Sequence, residues 1–157
     1  MNERKEKELL EDFEKQYGDV IDFFACTPYK NPDVGFNCTI NGQKYSFFLE
    51  SKVYNQSNTS NYPKQLLSEI LINRNLDKSK FNLKGEISYG ILLTYDNSQF
   101  DGIYNTLQSF YLLNDWNKFG EIFGCKFIFL YDRKNKKSYF CKWKDFLNKD
   151  LLQIKEI

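Results

Sequence analysis

The chain has 157 residues, of which 41% are hydrophobic and 27% charged, with 22 basic and 21 acidic side chains. This length and apolar content fit a single folded domain over residues 1–157, and a net charge of +1 is not typical of proteins that coat nucleic acid. The sequence contains no histidine, which excludes Ser-His-Asp and Cys-His nucleophiles and histidine general bases. Any catalysis must therefore use carboxylates, lysines, tyrosines, cysteines or amides.

The four cysteines show neither a C-x-x-C pair nor the spacing of a zinc ribbon. Each lies in or beside an apolar run, which favours buried free thiols over a disulfide or a reactive thiol. The amino terminus lacks the apolar core of a signal peptide, and no stretch approaches the roughly 20 apolar residues of a membrane span. We therefore expect a cytoplasmic protein with no membrane partner.

The first half of the chain predicts a helix followed by three strands. Residues 2–17 form one apolar stripe at helical spacing, and Gly18 just beyond them is a plausible helix end. Two strand-like runs, 20–26 and 34–40, are separated by a segment with two prolines. Asn41-Gly42 follows directly and predicts a tight hairpin turn into a third strand over 45–53.

The second half alternates helices and strands. Tyr62-Pro63 opens a second helix, whose predicted apolar face comprises Leu66, Leu67, Ile70 and Leu71. An apolar run over 88–95 predicts a strand covered on both faces, and a helix is expected from about 106 to 123. Strands over 126–131 and 138–142 and a short helix complete the order αβββαβαββα. This order predicts an α/β domain with a central mixed β-sheet flanked by helices.

The residues that point to chemistry lie at the open end of the predicted hairpin. Asp33 begins its first arm, and Glu50 and Lys52 lie near the end of its second arm, so the antiparallel arms bring them together. Glu50 and Lys52 are two residues apart and share one face of the strand. Two carboxylates and an amine at this point suit a Mg²⁺ site with a lysine that orients or deprotonates water. Asp33 as a turn residue and a Glu50–Lys52 surface ion pair remain the alternatives.

This arrangement, Pro32-Asp33 followed by Glu50-Ser51-Lys52 with a hairpin in the gap, resembles the motif of the PD-(D/E)XK nuclease superfamily. The resemblance implies a restriction-endonuclease-like fold, metal binding by Asp33 and Glu50, and a water-activating role for Lys52. Hydrophobic Phe47-Phe48-Leu49 directly before Glu50 agrees with a central strand, where a charge is costly without a partner or a function.

Two further residues enter through the same resemblance. Many members carry an acid on the first helix, and Glu6 is best placed for it, with Glu8 or a solvated helix charge as the alternatives. Some branches carry a glutamine on the helix after the motif, sometimes followed by a tyrosine one turn later. Gln65 occupies such a position, although Glu69 stands where the tyrosine would be, and a surface amide is an equal alternative for Gln65.

The resemblance implies a Mg²⁺-dependent DNA endonuclease domain, in which Mn²⁺ is expected to substitute for Mg²⁺. The run Tyr89 to Thr94, with Phe100 to Tyr104, resembles amino-terminal nuclease domains of restriction enzymes that carry a methyltransferase in the same chain. Further domains or subunits would then recognise the target, and this domain would bind DNA weakly and without sequence preference. The alternative is a catalytically inactive module of the same fold that serves protein or nucleic-acid interaction.

Overall fold

A computed structural model describes residues 3–27, 30–53, 62–95, 113–148 and 151–154. Its three α-helices are α1 (Glu3–Tyr17), α2 (Tyr62–Arg74) and α3 (Leu113–Phe123). Its strands are β1 (Asp22–Cys26), β2 (Val34–Ile40), β3 (Gln43–Val53), β4 (Glu86–Tyr95), β5 (Phe127–Asp132), β6 (Lys137–Lys142) and β7 (Leu152–Gln153). Two short 3-10 helices span Lys78–Lys80 and Trp143–Asn148. None of the helices in these ranges is long and apolar enough to cross a membrane.

The strands form one seven-stranded mixed sheet in the order β1-β2-β3-β4-β5-β6-β7. β1, β2 and β3 pair antiparallel, β3, β4 and β5 pair parallel, and β6 and β7 are again antiparallel. The predicted α/β class with a mixed central sheet is therefore confirmed. The predicted order holds as far as β6, but the expected carboxy-terminal helix is a 3-10 helix and is followed by a strand that was not predicted. Residues 106–112 of the predicted third helix lie outside the described residues.

The sheet carries a helical layer on each face because alternate side chains of its central strands are buried on opposite sides. α1 packs with Phe47 and Leu49 of β3 and with Leu92 of β4 in one apolar cluster. α2, α3 and the 3-10 helix at Trp143–Asn148 pack on the other side with the alternate residues of β4, including Ile91 and Leu93. β4 is covered on both faces, as its apolar run predicts.

The β2–β3 hairpin fixes which residues meet at its open end. Asn41 and Gly42 both have positive φ, 51° and 79°, as the predicted two-residue turn requires. The ladder then pairs Ile40 with Gln43 at the turn and Val34 with Leu49 at the far end. Continued by one residue, the same register places Asp33 opposite Glu50.

The inward face of α2 differs from the predicted one. Ile70 is fully buried, but Leu71 is 45% exposed, and Asn73 is fully buried in its place. Apolar side chains occur almost all the way round this helix, so hydrophobic periodicity alone could not choose its inward face. The orientation that α2 adopts buries Ile70 in the core and also allows a polar contact of Asn73, described below.

Candidate metal centre

Asp33 and Glu50 form a buried pair of carboxyl groups at the end of the hairpin. Asp33 is only 6% exposed and Glu50 only 3%. The Asp33 carboxyl lies close enough to Glu50 to raise the pKa of that side chain. The predicted convergence of these two acids is therefore present in the structure.

Each acid of the pair has a further hydrogen bond that fixes its orientation. The backbone N–H of Ser51 donates to Oδ2 of Asp33 at 3.1 Å, which ties Asp33 to the strand that carries Glu50. Nδ2 of Asn73 on α2 donates to Oε1 of Glu50 at 3.2 Å. The backbone N–H of Thr27 also donates to the Asp33 carbonyl at 2.9 Å, closing the loop that leads into β2. The pair is thus held by the sheet on one side and by α2 on the other.

The environment of Glu50 favours its protonated form. Burial, which is the largest cause, acts together with the neighbouring Asp33 carboxyl and the Glu69 carboxylate to raise the pKa of Glu50 to about 10. The Asn73 hydrogen bond acts in the opposite direction on the same pKa. A pKa raised this far means that Glu50 keeps its proton at neutral pH when no metal is bound. A divalent cation would replace that proton and neutralise the two carboxylates.

Lys52 lies where the strand pattern predicts. It is half-buried on β3, two residues beyond Glu50, and its side chain points to the same face of the sheet. Phe48, also on this face, packs against Tyr89 of β4. Segments 54–61 and 96–112, which follow β3 and β4, lie outside the described residues.

α2 adds two polar residues to the site that the sequence did not identify. Glu69 is half-buried and close enough to raise the pKa of Glu50, and Asn73 contacts Glu50 directly. Gln65, Glu69 and Asn73 are spaced four residues apart, so they occupy one row along the helix. This four-residue spacing is present in the sequence. A search for apolar periodicity does not detect it, because all three residues are polar. Gln65 precedes Glu69 by four residues on α2, and its role in the site stays a prediction.

Glu6 belongs to the helix on the other face of the sheet. The carbonyl of Leu10 accepts a hydrogen bond from the Cys26 thiol at 3.5 Å, and Cys26 ends β1 beside the start of β2. α1 therefore passes close to the Asp33 end of the sheet, and Glu6, which is half-buried, precedes Leu10 by one turn. To reach the carboxyl pair, Glu6 would have to approach around the strand ends. Its role in the site stays a prediction.

The cysteines take no part in this chemistry. All four are free thiols, as predicted, but only Cys125 and Cys141 are buried, whereas Cys26 and Cys38 are half-buried. Burial, together with the charges of Glu14, Asp33 and Glu11, raises the pKa of Cys26 to about 12. The thiol closest to the site is therefore protonated at neutral pH and is not a nucleophile.

The donor set suits a hard divalent cation. Asp33 and Glu50 offer carboxylate oxygens, and Asn73 Oδ1 is buried with no hydrogen-bond partner among the residues described. Within those same residues, no three His, Cys, Asp or Glu side chains stand close enough together to hold one ion. Mg²⁺ commonly binds through only one or two carboxylates and completes its shell with water and substrate phosphates. The residues present therefore fit Mg²⁺ or Mn²⁺.

The chain was compared with known proteins, and neither a protein-family model nor a curated protein matches it.

Proposed function

We propose that this chain is a Mg²⁺-dependent DNA endonuclease domain of restriction-endonuclease-like fold, acting within a restriction system. One observation carries the proposal: two neighbouring buried carboxyl groups, Asp33 and Glu50, lie at the end of a central strand, with Lys52 two residues further along. Two acids in a sheet interior are destabilising unless they have a partner, and a divalent cation is the partner that their oxygens suit. The antiparallel hairpin, the helix α2 and the parallel strand β4 agree with the proposed fold.

In the proposed reaction, water attacks the phosphorus of a phosphodiester and the bond to the leaving oxygen breaks. Asp33 and Glu50 would hold the cation, which would supply Lewis acidity and make the attacking water easier to deprotonate. Lys52 orients the attacking water or stabilises the charge that develops on the phosphate oxygens. The Ser51 N–H keeps Asp33 in place, because it donates to the carboxylate from the strand that carries the other two residues.

Cleavage is expected to require a divalent cation. Supercoiled plasmid incubated with the purified chain should be nicked or linearised in Mg²⁺ or Mn²⁺, and it should stay intact in EDTA because the carboxyl pair alone does not activate water. Gel electrophoresis of the plasmid over time measures the rate, and restoring Mg²⁺ after EDTA is the control for irreversible loss of folding. Cleavage that continues in EDTA at the same rate would refute the metal-dependent mechanism.

DNA binding by this chain alone is expected to be weak and nearly independent of sequence. Two of the lysines that follow the motif are already engaged: Lys84 pairs with Asp22 at 2.6 Å, and Lys78 donates to the Arg74 carbonyl at 2.7 Å. Because few phosphates can be neutralised at once, log K should fall with log salt at a slope of roughly −2 to −4.

Fluorescence anisotropy with labelled duplexes in Ca²⁺ measures this slope without cleavage, and unrelated duplexes of equal length serve as the control for specificity. Nanomolar affinity for one short duplex at physiological salt would instead mean that the chain carries its own recognition surface. The proposal that recognition resides in other domains or subunits would then be wrong.

A further inference from the structure

The side-chain nitrogen of Asn73 forms a hydrogen bond, whereas its side-chain oxygen forms none within the described residues. Its side chain is fully buried, and Nδ2 donates to Oε1 of Glu50 at 3.2 Å. Its Oδ1 is buried and has no hydrogen-bond partner within the described residues. A buried amide oxygen without a partner is unfavourable, so its presence beside two acids favours a ligand that this oxygen can bind.

The position of this amide matches the geometry of a cation shell. A half-turn of the amide exchanges its nitrogen and oxygen, which would place the oxygen at the present nitrogen position, 3.2 Å from Oε1 of Glu50. Two adjacent oxygen ligands of octahedral Mg²⁺ are about 3.0 Å apart, because each lies about 2.1 Å from the ion. One amide can therefore donate to Glu50 in the metal-free protein and coordinate the ion in the loaded protein.

The end of α2 holds Asn73 at this place. Lys78 Nζ donates to the carbonyls of both Asn73 and Arg74, and its ammonium lies over the rings of Phe48 and Tyr89 at 5.5 and 5.6 Å. The last turn of α2 is thereby fastened to the face of the sheet that carries Glu50. A neutral ligand also suits the position, because Glu69 already adds a negative charge near the pair.

We propose that the cation bound by Asp33 and Glu50 takes the side-chain oxygen of Asn73 as a third protein ligand. This inference rests on the proposed metal-dependent function and extends it from the strand motif to α2. The amide turns when the ion binds, giving up its hydrogen bond to Glu50 and gaining the bond to the metal.

Isothermal titration with Mn²⁺ tests the proposal without any cleavage assay. Asn73→Leu, which keeps the approximate size but removes both amide groups, should weaken Mn²⁺ binding by roughly tenfold or more. Asn117→Leu makes the same change at an exposed position of α3 and should bind Mn²⁺ like the parent. If Asn73 only donated to Glu50, Asn73→Leu would remove a hydrogen bond that competes with the ion. Equal or tighter binding by this variant would therefore overturn the proposal.

A spectroscopic measurement on the parent chain does not depend on the folding of Asn73→Leu. Hyperfine spectroscopy of bound Mn²⁺ should detect a directly coordinated ¹⁷O in protein labelled at the asparagine side-chain oxygens, and Asn73→Asp, which lacks the label, should lose that coupling while still binding Mn²⁺. Coupling that persists unchanged in Asn73→Asp would overturn the inference. A parent chain that binds no Mn²⁺ would overturn the proposed function as well, whereas parental affinity in Asn73→Leu would overturn this inference alone.

Discussion

Asp33→Asn, Glu50→Gln and Lys52→Met are each expected to lower metal-dependent DNA cleavage by roughly 1000-fold or more, while the domain stays folded. The two amide variants keep the size of the acids but remove the charge that holds the cation, and Lys52→Met keeps the length of the lysine without its ammonium. Initial rates of plasmid cleavage at saturating Mg²⁺ measure the effect. Because the three residues act on one transition state, a double variant should lose little more than a single one.

Matched variants elsewhere in the sheet separate chemistry from folding. Lys44→Met changes an exposed lysine at the other end of the same strand, and Glu86→Gln changes an exposed acid on β4, so both should cleave like the parent. Normal cleavage by Lys52→Met would contradict the role assigned to that lysine.

Asp33→Asn should destabilise the fold less than Asp33→Ala would. Asparagine retains an oxygen that can accept from the Ser51 N–H, whereas Asp33→Ala would leave that buried donor without its acceptor, at a cost of about 1–3 kcal/mol. The amide variants at 33 and 50 should therefore melt at or above the temperature of the metal-free parent, because Asp33→Asn removes a group that raises the pKa of Glu50 and Glu50→Gln removes the buried acid itself.

The sequence predicted the fold wherever local pattern and tertiary packing agree. The Asn41-Gly42 turn fixed the hairpin register, and that register alone was sufficient to place Asp33 beside Glu50. The carboxy-terminal segment was less well predicted. Whether it forms an α-helix, a 3-10 helix or a short strand depends on contacts with distant parts of the sheet. The two-residue strand β7 exists through its pairing with β6, which local sequence does not encode.

The sequence predicted the site residues on the strands, but it did not identify all of those on the helices. Glu50 and Lys52 follow from the two-residue period of a strand, which leaves only two faces to choose between. A helix such as α2 can take more orientations than a strand, and its apolar residues lie on nearly all of its sides. The apolar pattern therefore predicts that Leu71 is buried, whereas the structure buries Asn73 instead. The observed orientation buries Ile70 in the core and lets Asn73 donate to Glu50, a residue 23 positions away. Such a contact becomes visible only when the helix and the sheet are placed together.

The metal-free domain is expected to lose stability as pH rises. The pKa of Glu50 is raised from 4.5 to about 10 on folding, so the folded state retains a proton that the unfolded state releases above pH 4.5. The stabilising contribution of this proton is complete below the unfolded pKa and disappears as pH increases through the folded pKa. Between these values the free energy of unfolding should fall by up to about 1.4 kcal/mol per pH unit. Chemical denaturation in EDTA at a series of pH values measures this slope.

Glu50→Gln identifies the group responsible for that slope. Glutamine imitates the protonated acid at every pH and can still accept from Asn73, so the variant should show a much shallower pH dependence and exceed the parent in stability at pH 8. Glu86→Gln, which alters an acid paired with Lys126 at the surface, should retain the parental slope. Saturating Mg²⁺ should flatten the parental profile above neutral pH, because the cation takes the place of the proton between Asp33 and Glu50. Identical profiles for the parent and Glu50→Gln in EDTA would mean that the buried pair holds no proton, and the electrostatic argument for a cation at this site would fail.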